Sequence, residues 1–305
     1  MTDWTGLAAA IAAEEVQGCA LGVSVIGPDG SRFSHHGGRA FVAASTMKIP
    51  VMVELFRRID AGRDSLEQSH VLREEDRATG GGVVKELHAG ITFTVRDLCY
   101  LMMAISDNST TNILIDRVGM AEVNALMKQL GMAGSCLGRK VRGRPPVEGE
   151  TENWAVPDEY AGLIAAILED RAASAASCAA MVGMLEKQAN DRRIARYLPR
   201  PTVNGGEARP RWGSKTGSLP GVVNDVGFIM TAKGPLVLSV FCEIEDPNVG
   251  EAVIGAVAKA ALDGVSIPAI PPAPSAAVPS RQGNLAESLG EATGPRPGKV
   301  KVVLQ

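Results

Sequence analysis

Apolar and polar positions follow two different periods along this chain, and these periods divide it into strands around a long helical block. The period of two that is typical of strands covers residues 21–26, 32–43, 211–217, 222–231 and 236–243. The period of 3.6 that is typical of helices covers residues 3–18, 45–61, 96–105, 110–131, 157–170, 178–188 and 250–262. This order predicts an α+β fold, in which a five-stranded antiparallel sheet is flanked by the terminal helices.

The helical block spans residues 45–187 and is inserted between the second and third predicted strands. The α/β part is therefore expected to be discontinuous, formed by residues 1–44 and 188–265. We expect the functional site in the cleft between the two parts, where ligand pockets commonly form. Residues 266–305 are rich in proline and alanine and predict a C-terminal extension, either mobile or docked on this domain or on a partner.

Composition narrows the possible functions. The chain has 305 residues, of which 45% are hydrophobic and 21% are charged, as is ordinary for a globular protein. A net charge of -3 argues against nucleic-acid binding, and no apolar run is long enough to predict a membrane span. The acidic N-terminal segment has no basic leader region, which predicts a cytoplasmic protein; export with a leader already removed is the alternative. The oligomeric state is not readable from the sequence.

Cysteines and histidines are few and scattered. Reduced and mostly buried thiols are predicted for the five cysteines, Cys19, Cys99, Cys136, Cys178 and Cys242. Neither a metal site nor a cofactor is predicted, because none of the four histidines has ligand spacing to a cysteine or carboxylate cluster. His35 and His36 are expected to point to opposite faces of a strand.

A serine and a lysine three residues apart, Ser45 and Lys48, lie about one helical turn apart on the same face. A lysine in this position can accept the serine's proton if burial and nearby positive charge lower its pKa. The alternative is a helix N-cap serine beside a surface lysine. The apolar stretch Met47–Leu55 around Lys48 favours a buried lysine that faces the serine.

Two further motifs follow in the order Ser106-Asp107-Asn108 and Lys215-Thr216-Gly217. With Ser45-Thr46-Met47-Lys48 they form the signature of penicillin-recognising serine enzymes. On these motifs, the chain over residues 2–263 resembles the class A β-lactamase family. The similarity extends to the surrounding segments, Phe41–Pro50, Leu98–Asn112, Arg193–Pro199, Lys215–Ser218 and Asn224–Gly227.

The resemblance implies a β-lactamase-like fold and a role for each matching residue. Ser45 would be the nucleophile, Lys48 the acylation base, and Ser106 the relay that passes a proton to the leaving group. The backbone N–H groups of Ser45 and Ser218 would form the oxyanion hole. The remaining residues would bind a small-molecule substrate: Asn108 its amide side chain, and Lys215, Thr216 and Ser218 its carboxylate.

One part of the family pattern is missing. Class A β-lactamases use a loop glutamate to activate the water that releases the acyl-enzyme. That glutamate is expected within residues 137–144, which contain no carboxylate. The nearest are Glu148, Glu150 and Glu152, to which the role is not transferred. The sequence therefore predicts acylation followed by slow deacylation.

Three functions stay open at this point. The first is a serine hydrolase that opens β-lactams or related cyclic amides. The second is a D-amino-acid peptidase or esterase of the same fold, in which Lys48 serves both half-reactions. The third is a sensor that is acylated by a β-lactam and not turned over, with the C-terminal extension available to engage a partner.

Overall fold

The computed structural model describes residues 2–15, 18–144, 146–200 and 209–265. All of them belong to the first of two units of the chain, Met1–Ile270. The predicted extension of residues 266–305 lies outside the described residues. The helices are α1 (Thr5–Glu15), α2 (Lys48–Asp60), α3 (Val95–Ala104), α4 (Asn108–Val118), α5 (Met120–Gln129), α6 (Pro157–Leu168), α7 (Ala175–Leu185) and α8 (Pro247–Gly264). The strands are β1 (Ala20–Ile26), β2 (Arg32–His35), β3 (Phe41–Val42), β4 (Ser69–Val71), β5 (Thr92–Thr94), β6 (Trp154–Ala155), β7 (Trp212–Leu219), β8 (Val222–Thr231) and β9 (Gly234–Glu243).

A five-stranded antiparallel sheet organises the fold, as predicted. Its strand order is β2-β1-β9-β8-β7, so β7 forms one edge and β2 the other. One face packs against α1 and α8, and the other packs against the helical block. Because both faces are covered, β8 and β9 are buried along most of their length.

The strands of this sheet come from the two ends of the described chain, and helices α2 to α7 come from the segment between them. This order agrees with the prediction that a helical block is inserted between strands of the sheet. Two short antiparallel strand pairs accompany it, β3 with β6 and β4 with β5. The division into an α/β part and a separate helical domain stays a prediction.

Capping side chains, a proline and a glycine determine where several helices begin and end. Thr94 caps α3 in a capping box with Asp97, and Asp107 caps α4 by accepting the N–H of Thr110. Pro157 begins α6, where its missing N–H costs nothing. After α2 the chain turns at Gly62, whose φ of 69° is a left-handed conformation that glycine adopts without strain.

Two predicted elements are interrupted. The helix predicted over residues 110–131 is broken into α4 and α5 at Gly119, which has a φ of 88°. The second predicted strand, 32–43, is also wrong as one element, because β2 ends at His35 and Phe41–Val42 pairs elsewhere. His36 leaves the strand with a φ of 48°. His35 and His36 therefore do not point to opposite faces, and their ring centroids lie 4.2 Å apart.

The remaining whole-chain expectations concern thiols and membranes. All five cysteines are free, and all but Cys136 are buried, as predicted. Among the described residues, every helix is too short or too polar to cross a bilayer.

The packing of β7 on β8 predicts opposite effects of alanine at two glycines. A Cβ at Gly227 would lie 2.1 Å from the Gly213 carbonyl oxygen, whereas a Cβ at Gly162, within α6, would meet no atom within 4 Å. We expect Gly227→Ala to lower the free energy of unfolding by about 1–3 kcal/mol or more. Gly162→Ala should raise it by roughly 0.5–1 kcal/mol. Urea denaturation measures both; equal effects would contradict the tight strand pairing.

Candidate active site

Ser45 lies in a 3₁₀ turn, Ala44–Met47, that leads directly into α2. The turn is fixed by Thr46, which is fully buried and donates its hydroxyl to the Ala43 carbonyl at 2.7 Å. Ala44 has a φ of 46°, a conformation that non-glycine residues rarely adopt and that is often found at functional sites. Ser45 itself remains partly exposed, so its hydroxyl can be reached from the solvent.

Strand β7 passes close to the backbone of Ser45. A Cβ at Gly217 would lie 3.2 Å from the Ser45 nitrogen and 3.0 Å from the Ala43 carbonyl oxygen. Glycine thus lets the edge strand approach the Ser45 N–H without placing a side chain there. Asn224 on β8 secures the same segment by donating to the Val42 carbonyl at 2.9 Å.

Lys48 is completely buried at the start of α2. Its Nζ donates to the carbonyl and hydroxyl oxygens of Ser106 at 2.7 and 3.0 Å and to Asn108 Oδ1 at 3.1 Å. Burial, and secondly the charge of Lys215, lower the pKa of Lys48 well below its ordinary value, while Asp107 partly opposes them. A lysine with a lowered pKa can serve as a proton acceptor near neutral pH.

The Ser106-Asp107-Asn108 turn is held by Asp107. Its Oδ2 accepts the N–H groups of Val83 and Val84 at 2.7 and 2.9 Å, and its Oδ1 accepts that of Thr110 at 3.0 Å. Ser106 adopts a φ of 60°, which directs the turn towards Lys48.

Lys215 is fully buried on β7, and its Nζ donates to the Thr216 carbonyl at 2.9 Å. Burial lowers its pKa to about 7, while Asp225 on the neighbouring strand favours the charged form and Arg193 opposes it. Lys215 is therefore shielded from solvent, although β7 is an edge strand.

Arg193 also contributes to the site, although its sequence context predicts no role for it. It is buried and donates to the carbonyls of Gly217 and Asn224 at 2.8 and 2.6 Å and to the Ser218 hydroxyl at 2.6 Å. Burial lowers the pKa of Arg193 from its ordinary value. No periodicity marks this residue; the only available signal was its place in the Arg193–Pro199 segment.

One cavity of about 330 Å³ collects five of the predicted site residues. Those that line it are Ser45, Ser106, Asn108, Thr216 and Ser218. Lys48 and Lys215 do not line the cavity; both are buried behind the residues that do. All seven residues suggested by the motifs are thereby brought to one place.

The opposite wall of the cavity is a basic loop formed by residues 139–144, together with Glu152 and Asn153. Glu152 is held by Arg139 in a two-pronged ion pair at 3.2 and 2.9 Å, and Glu150 by Arg144 at 2.7 and 3.0 Å. The pKa of Glu150 is lowered to about 2, and the hydrogen bonds from the Arg144 side chain are the largest cause of this shift. Both carboxylates are thus engaged by guanidinium groups.

The fold agrees with comparisons against known proteins. A family model described as the β-lactamase enzyme family matches residues 7–265. The chain belongs to the class A β-lactamase family. It is similar to β-lactamase BRO-1 of Moraxella catarrhalis, with 23% identity over 76% of this chain and 72% of that protein.

Solved structures of the family superpose over most of the chain. The β-lactamase of Sphaerobacter thermophilus is 51% identical, with a TM-score of 0.82, and the match covers 86% of this chain and 97% of that one. An ancestral class A β-lactamase is 27% identical with a TM-score of 0.75 over 84% and 99% of the two chains. The protein is therefore a β-lactamase-like hydrolase.

The lowered pKa of Lys215 predicts a pH-dependent stability. Between about pH 7 and 10.5 the unfolded lysine holds a proton that the folded lysine has released, so the free energy of unfolding should rise with pH. Each pKa unit corresponds to about 1.4 kcal/mol. Urea denaturation across this range should show a flatter rise in Lys215→Met. The exposed Lys128→Met is the control; parallel profiles for all three proteins would contradict the shift.

Proposed function

We propose that the protein opens β-lactams or related cyclic amides through an acyl-enzyme on Ser45, and that it deacylates slowly. The observation that carries this proposal is the buried Lys48 amine. It lies one helical turn from Ser45, bonds to the Ser106 hydroxyl, and has a pKa lowered well below its ordinary value. A neutral amine in this position supplies the base that a serine nucleophile requires.

Acylation follows from this arrangement. Lys48 accepts the Ser45 hydroxyl proton as Oγ attacks the substrate carbonyl, and the developing oxyanion is stabilised by the N–H groups of Ser45 and Ser218. The proton passes through Ser106, which bonds to Lys48, to the leaving nitrogen as the amide C–N bond breaks. The product of this half-reaction is an ester on Ser45, and Lys48 is neutral again.

Hydrogen-bond capacity supports the substrate-binding roles. The Ser218 hydroxyl accepts from Arg193, so its own proton is left to donate to a substrate carboxylate. Thr216 lines the cavity beside it, Arg193 supplies positive charge from behind the strand, and Lys215 adds to this charge when it is protonated, below about pH 7. Asn108 uses one amide N–H on the Thr79 carbonyl, and its second can bond the substrate's amide side chain.

Slow deacylation rests on the loop. Release of the ester requires a base that directs water at the carbonyl carbon. The cavity wall offers Arg139, Lys140 and Arg142 instead, and Glu152 is occupied by Arg139. A guanidinium stays protonated at neutral pH and cannot act as this base.

Intact-mass measurement after addition of a penicillin tests the acyl-enzyme. We expect an adduct of one penicillin on the wild-type chain and none on Ser45→Ala. Ser69→Ala, which removes an exposed serine from β4, is the matched control and should behave as wild type. An adduct on Ser45→Ala would overturn the nucleophile assignment.

The same measurement separates the three open functions by the lifetime of the adduct. An adduct that decays as penicillin is hydrolysed supports the proposed hydrolase. One that persists without turnover supports the sensor, and no adduct together with ester turnover supports the peptidase or esterase.

Rapid-mixing kinetics test the missing base. We expect a burst of one equivalent followed by a slow phase, because acylation outpaces release of the ester. Turnover without a burst at about 10 s⁻¹ or more, a rate typical of enzymes, would show that another base acts. Glu148, Glu150 and Glu152 would then be changed to glutamine first.

A matched pair of variants tests the cause of the slow phase. Val141 lines the cavity, and its backbone is clamped by Asn112 through two hydrogen bonds of 2.8 and 2.9 Å. Val141→Glu should accelerate the slow phase, whereas Val141→Gln, with the same shape and no charge, should not. Equal slow phases in the two variants would show that the cause is not the engagement of the wall's carboxylate, Glu152, by Arg139.

A further inference from the structure

A cluster of two histidines and a glutamate, the Glu15–His35–His36 cluster, lies where the end of α1 meets the edge strand β2. His35 Nε2 is 2.9 Å from Glu15 Oε1, and His36 Nδ1 is 3.8 Å from the same oxygen. One potential ligand atom of each residue lies within 4.8 Å of the other two. None of the three lines the cavity that contains Ser45.

The backbone at His36 creates this cluster. Adjacent residues of a regular strand point to opposite faces, which would separate the two imidazoles. With a φ of 48°, His36 instead turns back beside His35, and its Nδ1 lies 3.1 Å from the Leu21 carbonyl. Histidine is among the residues that tolerate this left-handed region. The spacing of these residues in the sequence therefore does not predict that the fold brings the three side chains together.

We propose that the Glu15–His35–His36 cluster binds a divalent transition metal, with zinc as the best match. Two imidazoles and one carboxylate, without a thiolate, are a common zinc donor set. Bonds of about 2.0–2.2 Å to one ion place its ligand atoms roughly 3–4 Å apart. The 2.9 and 3.8 Å separations already fall near this range.

The charge and access of the cluster suit a cation. The pKa of Glu15 is lowered, mainly by the hydrogen bond from His35, so the carboxylate is ionised at neutral pH. The side chains of His35 and Glu15 are 28% and 29% exposed, and that of His36 is 54% exposed, which leaves a path for the ion and room for water ligands. On binding, the metal takes the place of the hydrogen on His35 Nε2 and of the His36 Nδ1 hydrogen that faces the Leu21 carbonyl, and each neutral imidazole then carries its single proton on its other ring nitrogen.

Such a metal would fasten the end of α1 to the edge of the sheet. Binding to the folded chain alone raises the stability by linkage. At a zinc concentration one hundred times Kd, the unfolding midpoint of a chain of this size should rise by roughly 5 °C. The reaction at Ser45 is not involved, so β-lactam turnover is expected to be unchanged.

Isothermal titration of the untagged, chelator-treated full chain with zinc chloride tests the proposal. We expect one zinc per chain with a Kd in the micromolar range or tighter, and a matching rise of the unfolding midpoint. His35→Ala and Glu15→Gln should each weaken binding by tenfold or more. His36→Asn, which removes a ring and keeps a residue suited to the left-handed backbone, should do the same.

His88→Ala, which removes a histidine outside the cluster, is the matched control and should bind zinc as the wild type does. Cobalt in place of zinc reports the donor atoms, and a spectrum without a thiolate charge-transfer band is expected. No zinc bound at micromolar concentration would overturn the proposal. So would unchanged binding in the cluster variants, or a cobalt spectrum with a thiolate band, which would place the metal on cysteine.

Discussion

The burial of two lysine amines behind one cavity is the constraint on which the rest of this structure depends. Lys48 comes from α2 and Lys215 from β7, and both are fully buried. Removing a charged amine from water costs several kcal/mol unless it is paired or neutralised. Both amines have lowered pKa values, each donates to a backbone carbonyl, and Lys48 also donates to the side chains of Ser106 and Asn108. Helical block and sheet must therefore meet in a fixed arrangement.

A second layer of charges fixes Lys215 from the side of the sheet. Asp225 is fully buried beside Arg193, and burial raises the pKa of Asp225. Arg193 in turn bonds to the β7 and β8 carbonyls and reaches Glu251 of α8 at 3.4 Å. Breaking such a buried network leaves an unpaired charge, which typically costs about 3–5 kcal/mol. Through Arg193, this network of buried charges connects α8 to the strands that line the cavity.

The sequence predicted the sheet and the motif residues because each has a strong local signature. The strand Val222–Thr231 was predicted with its observed bounds, since alternation and the flanking turn residues coincide there. The break at Gly119 and the early end of β2 at His35 were missed, because both depend on a left-handed backbone within an otherwise regular pattern. Single residues that leave a regular element carry little periodic signal.

The site was predictable only as far as its residues belong to contiguous motifs. Ser45, Ser106 and Thr216 share one cavity as the resemblance implied. Arg193 was not given a role, since its partners come from β7, β8 and α8 and are brought together only by tertiary structure. The ion pairs that occupy Glu150 and Glu152 likewise follow from the path of the loop, which no short pattern specifies.

The two ends of the described fold meet at one point. The Asp3 N–H donates to the carbonyl of Gly264, the last residue of α8, and α1 packs along α8. A short peptide could therefore join residue 264 to residue 3, with new termini opened at an exposed position of the helical block. In such a circular permutant, both segments that build the sheet would follow one another without interruption. The sheet layer would then be encoded by one continuous stretch of chain.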